Sequence, residues 1–146
     1  MALNPSGLTS GLTTAFDSPG SSVASAAQGW ATAVNNYVIA IVPPSITIAA
    51  ATATLTSALA SAFAVRPTAA PAMESAFMAF AVTLGAGMAP AFVATPPVGQ
   101  IGFAAQFAGA RPSSHAIAAS QISALIDAWF RTGIATPIVG PPVVWS

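Results

Sequence analysis

Charge is almost missing from this chain. Of its 146 residues, 4% are Asp, Glu, Lys or Arg, where a soluble domain carries about 25%. There is no lysine, and the ionised side chains are Asp17, Glu74 and Asp127 against Arg66, Arg111 and Arg131, so the net charge is zero. Nucleic-acid binding needs a track of cations to neutralise successive phosphates, and three scattered arginines cannot lay one. A basic amphipathic face for a membrane surface is excluded on the same ground. Cysteine is also absent, which excludes disulfides, thiolate metal sites and a thiol nucleophile and leaves the redox compartment open. The start, Met1-Ala2-Leu3-Asn4-Pro5, lacks the basic and apolar regions of a secretory signal, so export by that route is not expected.

The parts for catalysis are equally scarce. His115 is the sole histidine, and it follows Ser113-Ser114 directly. A serine next to a histidine in sequence rarely meets the geometry of a nucleophile and its base, so an ordinary hydrogen bond early in a helix is expected instead. Glu74 and Asp127 are a pair of carboxylates such as any folded chain offers. One histidine and three acids make no convincing zinc or two-metal site. Gly85-Ala86-Gly87 and Gly99-Gln100-Ile101-Gly102 lack the strand–loop–helix setting and lysine of a phosphate loop, and read as turns. No catalytic residue, cofactor or metal is expected, and the chain is expected not to be an enzyme.

What is present is alanine, small polar residues and a helical apolar period. The length suits one core. Residues 1–21 hold Leu8, Leu12 and Phe16 at helical spacing, with Ser6 as a candidate cap; they form a short helix or an arm that orders on a partner. Val23, Ala27, Trp30, Val34, Tyr37, Val38 and Ile41 lay one stripe along a helix from about 22 to 41, capped by Ser21 or Ser22 and ended by Pro43-Pro44. Ser45 is expected to cap a second helix to about Val65, closed by Arg66-Pro67. Thr52, Thr54 and Thr56 there also alternate as in a strand, and alanine between them tips the balance to helix. Pro71 fits the first turn of a third helix, with Glu74 complementing its dipole and Gly85-Ala86-Gly87 ending it.

Residues 88–112, rich in Pro and Gly, read as an ordered loop with short extended pieces held by Phe92, Phe103 and Phe107. Ser113 is expected to cap the last helix, whose buried face is Ile117, Ile122, Leu125, Ile126, Trp129 and Phe130. Asp127 and Arg131 pair at i, i+4, and Gly133 stops the helix. The expected fold is mainly α: a compact bundle of four to five helices over 22–133, with Pro/Gly-rich loops and an extended apolar tail over 134–146.

A small free domain normally keeps a charged surface, so this one is expected to be covered by partners. Trp145, near the end of an uncharged, proline-rich tail, reads as an anchor inserted into a neighbouring subunit, with Val144, Val143 and Ile138 beside it as interface residues. An integral membrane protein with two or more alanine-rich spanning helices shares this composition. Against it, segment 45–65 carries seven serines and threonines, segment 22–42 carries Gln28, Asn35 and Asn36, and the basic residues that set orientation are nearly absent.

Ser25-Ala26-Ala27-Gln28-Gly29-Trp30-Ala31 followed by Tyr37, the repeated Ala/Thr helices, Thr95-Pro96-Pro97 and Pro141-Pro142-Val143-Val144-Trp145 together resemble small alanine-rich virion proteins of tailed bacteriophages. The resemblance spans most of the chain as a texture of short motifs and carries no functional residue with it. It implies a building block of a tail, baseplate or neck, present in the virion after assembly in the host cytoplasm, with other structural proteins and copies of itself as partners.

Overall fold

The computed structural model describes residues 3–65 and 68–146. The chain is mainly helical. Its described elements are α1 (Pro5–Asp17), α2 (Val23–Val38), α3 (Ile48–Ala64), α4 (Ala69–Ala86), β1 (Phe92–Thr95), α5 (Phe103–Ala108), α6 (His115–Phe130), β2 (Ile134–Pro137) and β3 (Val143–Val144). Among the described residues there are thus six helices, α1 within 1–21 and the five from α2 to α6 within 22–133. The tail is not merely extended: β2 and β3 join β1 in an antiparallel sheet of order β1-β2-β3.

Residues 5–17 form a helix rather than a free arm, and Asn4 caps it in place of Ser6. The Asn4 side chain accepts from the Gly7 N–H at 3.0 Å, and Pro5 occupies the first turn, where no N–H is needed. Helix α1 packs on α2 and α6. Its approach to α2 is close enough that a β-carbon on Gly11 would meet that of Ala33 at 2.7 Å. Ser22 caps α2 as expected, accepting from the Ser25 N–H at 3.1 Å.

Helix α3 begins at Ile48 and Ser45 does not cap it. The Ser45 hydroxyl donates instead to the Leu84 carbonyl at 2.7 Å, and Thr47 donates to the Thr83 carbonyl at 2.6 Å. Both therefore satisfy orphan carbonyls at the C-terminal end of α4. The strand-like threonines stay helical because Thr52, Thr54 and Thr56 each donate to the carbonyl four residues back. The expected Arg66-Pro67 stop lies outside the described residues. Pro71 is the third residue of α4, still within the stretch where N–H groups have no helical acceptor.

Ser114, one residue after the expected Ser113, caps α6 and accepts from Ile117 at 3.2 Å. Its Asp127–Arg131 pair forms as expected at 2.9 Å.

The core is one apolar cluster. Leu8 and Leu12 of α1, Trp30, Val34 and Tyr37 of α2, Leu55 and Leu59 of α3, Phe77 and Phe80 of α4, Phe103 of α5 and Phe130 of α6 are all buried in it. Trp30 packs among aromatic rings, with centroids 5.6 Å from Phe16, 5.8 Å from Phe63 and 6.4 Å from Phe103. Such tilted contacts add to the area that each ring removes from water.

Candidate interaction surface

The sheet is built from two runs of β-branched residues that proline bounds, Phe92-Val93-Ala94-Thr95 and Ile134-Ala135-Thr136-Pro137, and from Val143-Val144. Alternation sends one set of side chains inward and the other out. Ala135 is buried, whereas Val93, Thr95, Ile134, Thr136 and Val144 face out. The register places Ile134 between Thr95 and Val144, and Thr136 opposite Val93. The outer face is therefore aliphatic or hydroxylic throughout and bears no charge. Val93 is 70% exposed and Val144 59%.

Trp145 occupies a different place from the one its position in the sequence suggested. It is fully buried, within its own chain. The reason is the bare backbone of Gly133, where a β-carbon would lie 2.6 Å from the indole Cδ2. Gly85 also lines this slot, but a β-carbon there would stand in ordinary contact with Cζ2 at 3.6 Å, its close approach being to Ala94 at 2.9 Å. Phe130 packs at 6.3 Å between centroids, and the Trp145 N–H donates to the Gly133 carbonyl at 2.9 Å. Ser146 and Val42 exchange backbone hydrogen bonds in both directions, at 2.7 and 3.1 Å, which fastens the last residue to the α2–α3 connection. The indole Nε1 has no partner among the described residues, so shape holds the ring. The other three expected interface residues are exposed: Ile138 at 77%, Val144 as above, and Val143 at 39%.

The titratable groups are spread out, and several of the described ones have a structural task. His115 Nδ1 meets Asp17 Oδ1 at 2.8 Å, both side chains being largely exposed; the pair joins the end of α1 to the start of α6. Ser114 accepts the cap hydrogen bond from the Ile117 N–H. Tyr37 donates to Asp127 Oδ1 at 2.8 Å while Arg131 donates to Oδ2. Burial, with the Asp127 carboxylate beside it, holds the Tyr37 phenol well above its usual range. The hydrogen bond to Asp127 likewise raises the Arg131 guanidinium, against a small opposing effect of burial.

Glu74 is not in the first turn of α4, so it does not complement that dipole. Its two oxygens accept from the backbone N–H groups of Ile101, Gly102 and Phe103 at 2.7, 2.8 and 2.9 Å, which fastens the start of α5 to α4. Sequence reasoning missed this role; a carboxylate 27 residues before a Gly-rich turn leaves no local trace.

Among the described residues no three His, Cys, Asp or Glu side chains gather where they could hold a metal ion. A cleft of about 280 Å³ lies where α1, α2, α5 and α6 meet, between Phe16, Trp30, Phe107 and Ile122, with Gln106 and Arg111 at its edge. Its lining holds no acid or histidine and offers walls rather than a reacting group. No protein-family model, no curated protein and no solved structure matches the chain.

Proposed function

We propose that the chain is a structural subunit of a multi-protein assembly, a tailed-phage virion component of the tail, baseplate or neck, that acts through apolar interfaces. In this reading the helices form a compact bundle that serves as the rigid block, and the sheet and its loops meet the neighbours. The observation that carries it is the charge-free aliphatic face of Val93, Ile134 and Val144, continued by Ile138 and Val139 at the sheet's end. Exposed apolar surface of this kind, gathered on one face, marks interaction sites. Few ion pairs are on hand to specify a partner, so shape and apolar burial would do so. Partners would be other structural proteins and copies of the chain.

A membrane protein is the second reading, and α4 is the observation in its favour. Among the described residues it is the one helix long and apolar enough to cross a bilayer, where two or more were expected. Yet Met73, Phe77, Phe80 and Leu84 of α4 are buried inside the chain, and a core helix passes the same test of length and composition.

Centrifugation of the native source on a density gradient without detergent separates the two. Following the chain by mass spectrometry, sedimentation with a defined particle of many proteins supports the structural subunit. Flotation with lipid overturns it in favour of the membrane.

A further inference from the structure

We infer that the C-terminal tail is exchanged between copies: in the assembly, Trp145 of one chain fills the Gly85–Gly133 slot of a second. This rests on the structural-subunit reading and deepens it by naming one contact and its occupant. The slot belongs to the body of the fold, being made by Gly85 of α4, Phe130 at the end of α6 and Gly133 in the turn before β2. The segment that enters it, Val143 to Ser146, follows β2 through the connecting residues 138–142. The slot's occupant is known, because it is filled by a sequence that every copy carries. Exchange of an identical element keeps each closed-state contact. The Trp145 hydrogen bond to Gly133, the β2–β3 pairing and both bonds between Ser146 and Val42 would all be remade across chains.

The connecting segment distinguishes this tail from any docked terminus. Ile138, Val139, Gly140, Pro141 and Pro142 are all exposed, and folding back depends on Gly140 at φ +123°, a conformation that costs L side chains dearly. Pro141-Pro142 favours an extended path, and five extended residues span roughly 17 Å, enough to reach an adjoining copy. In the closed chain Ile138 and Val139 remain 77% and 89% exposed. In an exchanged pair the two connecting segments run past each other, and these side chains gain cover that the closed chain cannot give them. Short hinge segments are where such exchange arises.

The chain has no cysteine, so a disulfide can report the pairing. Ile134 and Val144 are register partners in β2 and β3, and both are exposed. The full-length double variant Ile134→Cys, Val144→Cys is assembled under reducing conditions, oxidised, and resolved by mass under denaturing conditions. Exchange gives interchain disulfides, with covalent dimers or longer chains as the larger share. A second variant with Gly-Ser-Gly inserted after Gly140 eases the fold-back and should reduce that share severalfold. Intrachain disulfides alone, in material that still sediments as a multimer, overturn the exchange and leave the structural reading standing. Intrachain disulfides in a chain that stays monomeric at every concentration overturn both. Mixing equal amounts of the Ile134→Cys and Val144→Cys single variants is the check on folding: mixed dimers well above the share that random pairing gives support exchange, and the random-pairing share opposes it.

Discussion

Gly133 and Trp145 fit each other so closely that the glycine's missing side chain is part of the indole's site. A β-carbon at 133 would stand 2.6 and 2.8 Å from the ring's Cδ2 and Cε3, and the backbone around it is held by hydrogen bonds from Gly133 to Phe130 and from Trp145 to Gly133. Neither side can yield cheaply. Gly133→Ala is expected to cost about 1–3 kcal/mol by overpacking, and Trp145→Ala about 3–5 kcal/mol by leaving a cavity. Urea unfolding midpoints measure both. A Gly133→Ala chain as stable as the parent would mean that the ring does not sit in this slot.

Glu74 makes a second prediction. Its carboxylate is the acceptor for three consecutive N–H groups, so Glu74→Ala leaves all three without a partner at the start of α5. The expected loss is about 1–3 kcal/mol. Hydrogen exchange gives the sharper readout: the amides of Ile101, Gly102 and Phe103 should lose protection first, while those of α2 and α3 keep theirs. Uniform loss over the whole chain would count against a local role.

Tyr37 ties stability to alkaline pH. Its phenol is held above its ordinary value of about 10 by burial and by Asp127, so the folded chain keeps a proton that the unfolded chain releases near pH 10. The stabilisation is fully present below that pH and declines as pH rises above it, because there the unfolded state binds fewer protons. The limiting slope is about 1.4 kcal/mol per pH unit. Tyr37 is the only tyrosine, so phenolate absorbance reports it alone. Ionisation should coincide with loss of the folded circular-dichroism signal. A phenol titrating near pH 10 in a chain that stays folded would refute the assignment.

His115 should matter little. It and Asp17 are 61% and 59% exposed, and ion pairs in water contribute roughly 0–1 kcal/mol. His115→Ala is therefore expected to leave both the unfolding midpoint and assembly near the parent's.

The helices were legible because their signals are local. The Val23–Ile41 stripe, the Pro43-Pro44 break and the Asp127–Arg131 spacing all act within a few turns. Caps were legible to within a residue or two: Asn4 replaced Ser6 and Ser114 replaced Ser113, since neighbouring polar residues compete for one position. Ser45 was misplaced for a different reason. Its hydroxyl serves the end of α4, 39 residues on, and only the packing of α3 against α4 brings that carbonyl near. The sheet was hidden because its strands are two to four residues long and β1 lies far from β2 in the chain. Phe92–Thr95 and Ile134–Pro137 are rich in β-branched residues, but nothing in either names the other as its partner. Trp145 reads from the sequence as an anchor in a neighbouring subunit, whereas the structure buries it in its own chain, because its slot depends on Gly133 and on α4 packing, which no local pattern shows.

The outer face of the sheet carries the last prediction. If Val93 and Val144 meet a neighbour, a lysine at either site must bury an unpaired cation or keep the partner away, and both outcomes oppose assembly. In the isolated chain the same side chains face water, so the substitutions should leave stability within about 0.5 kcal/mol. Val93→Lys and Val144→Lys are thus expected to abolish or strongly reduce sedimentation of the chain with its particle while leaving the unfolding midpoint in place. Ser57→Lys, on the exposed side of α3, supplies the control. It adds the same charge to the same neutral chain, so any general effect of net charge on association appears there too. Loss of assembly with all three variants would point to net charge rather than to the sheet. Loss with the two sheet variants alone would place the interface on that face.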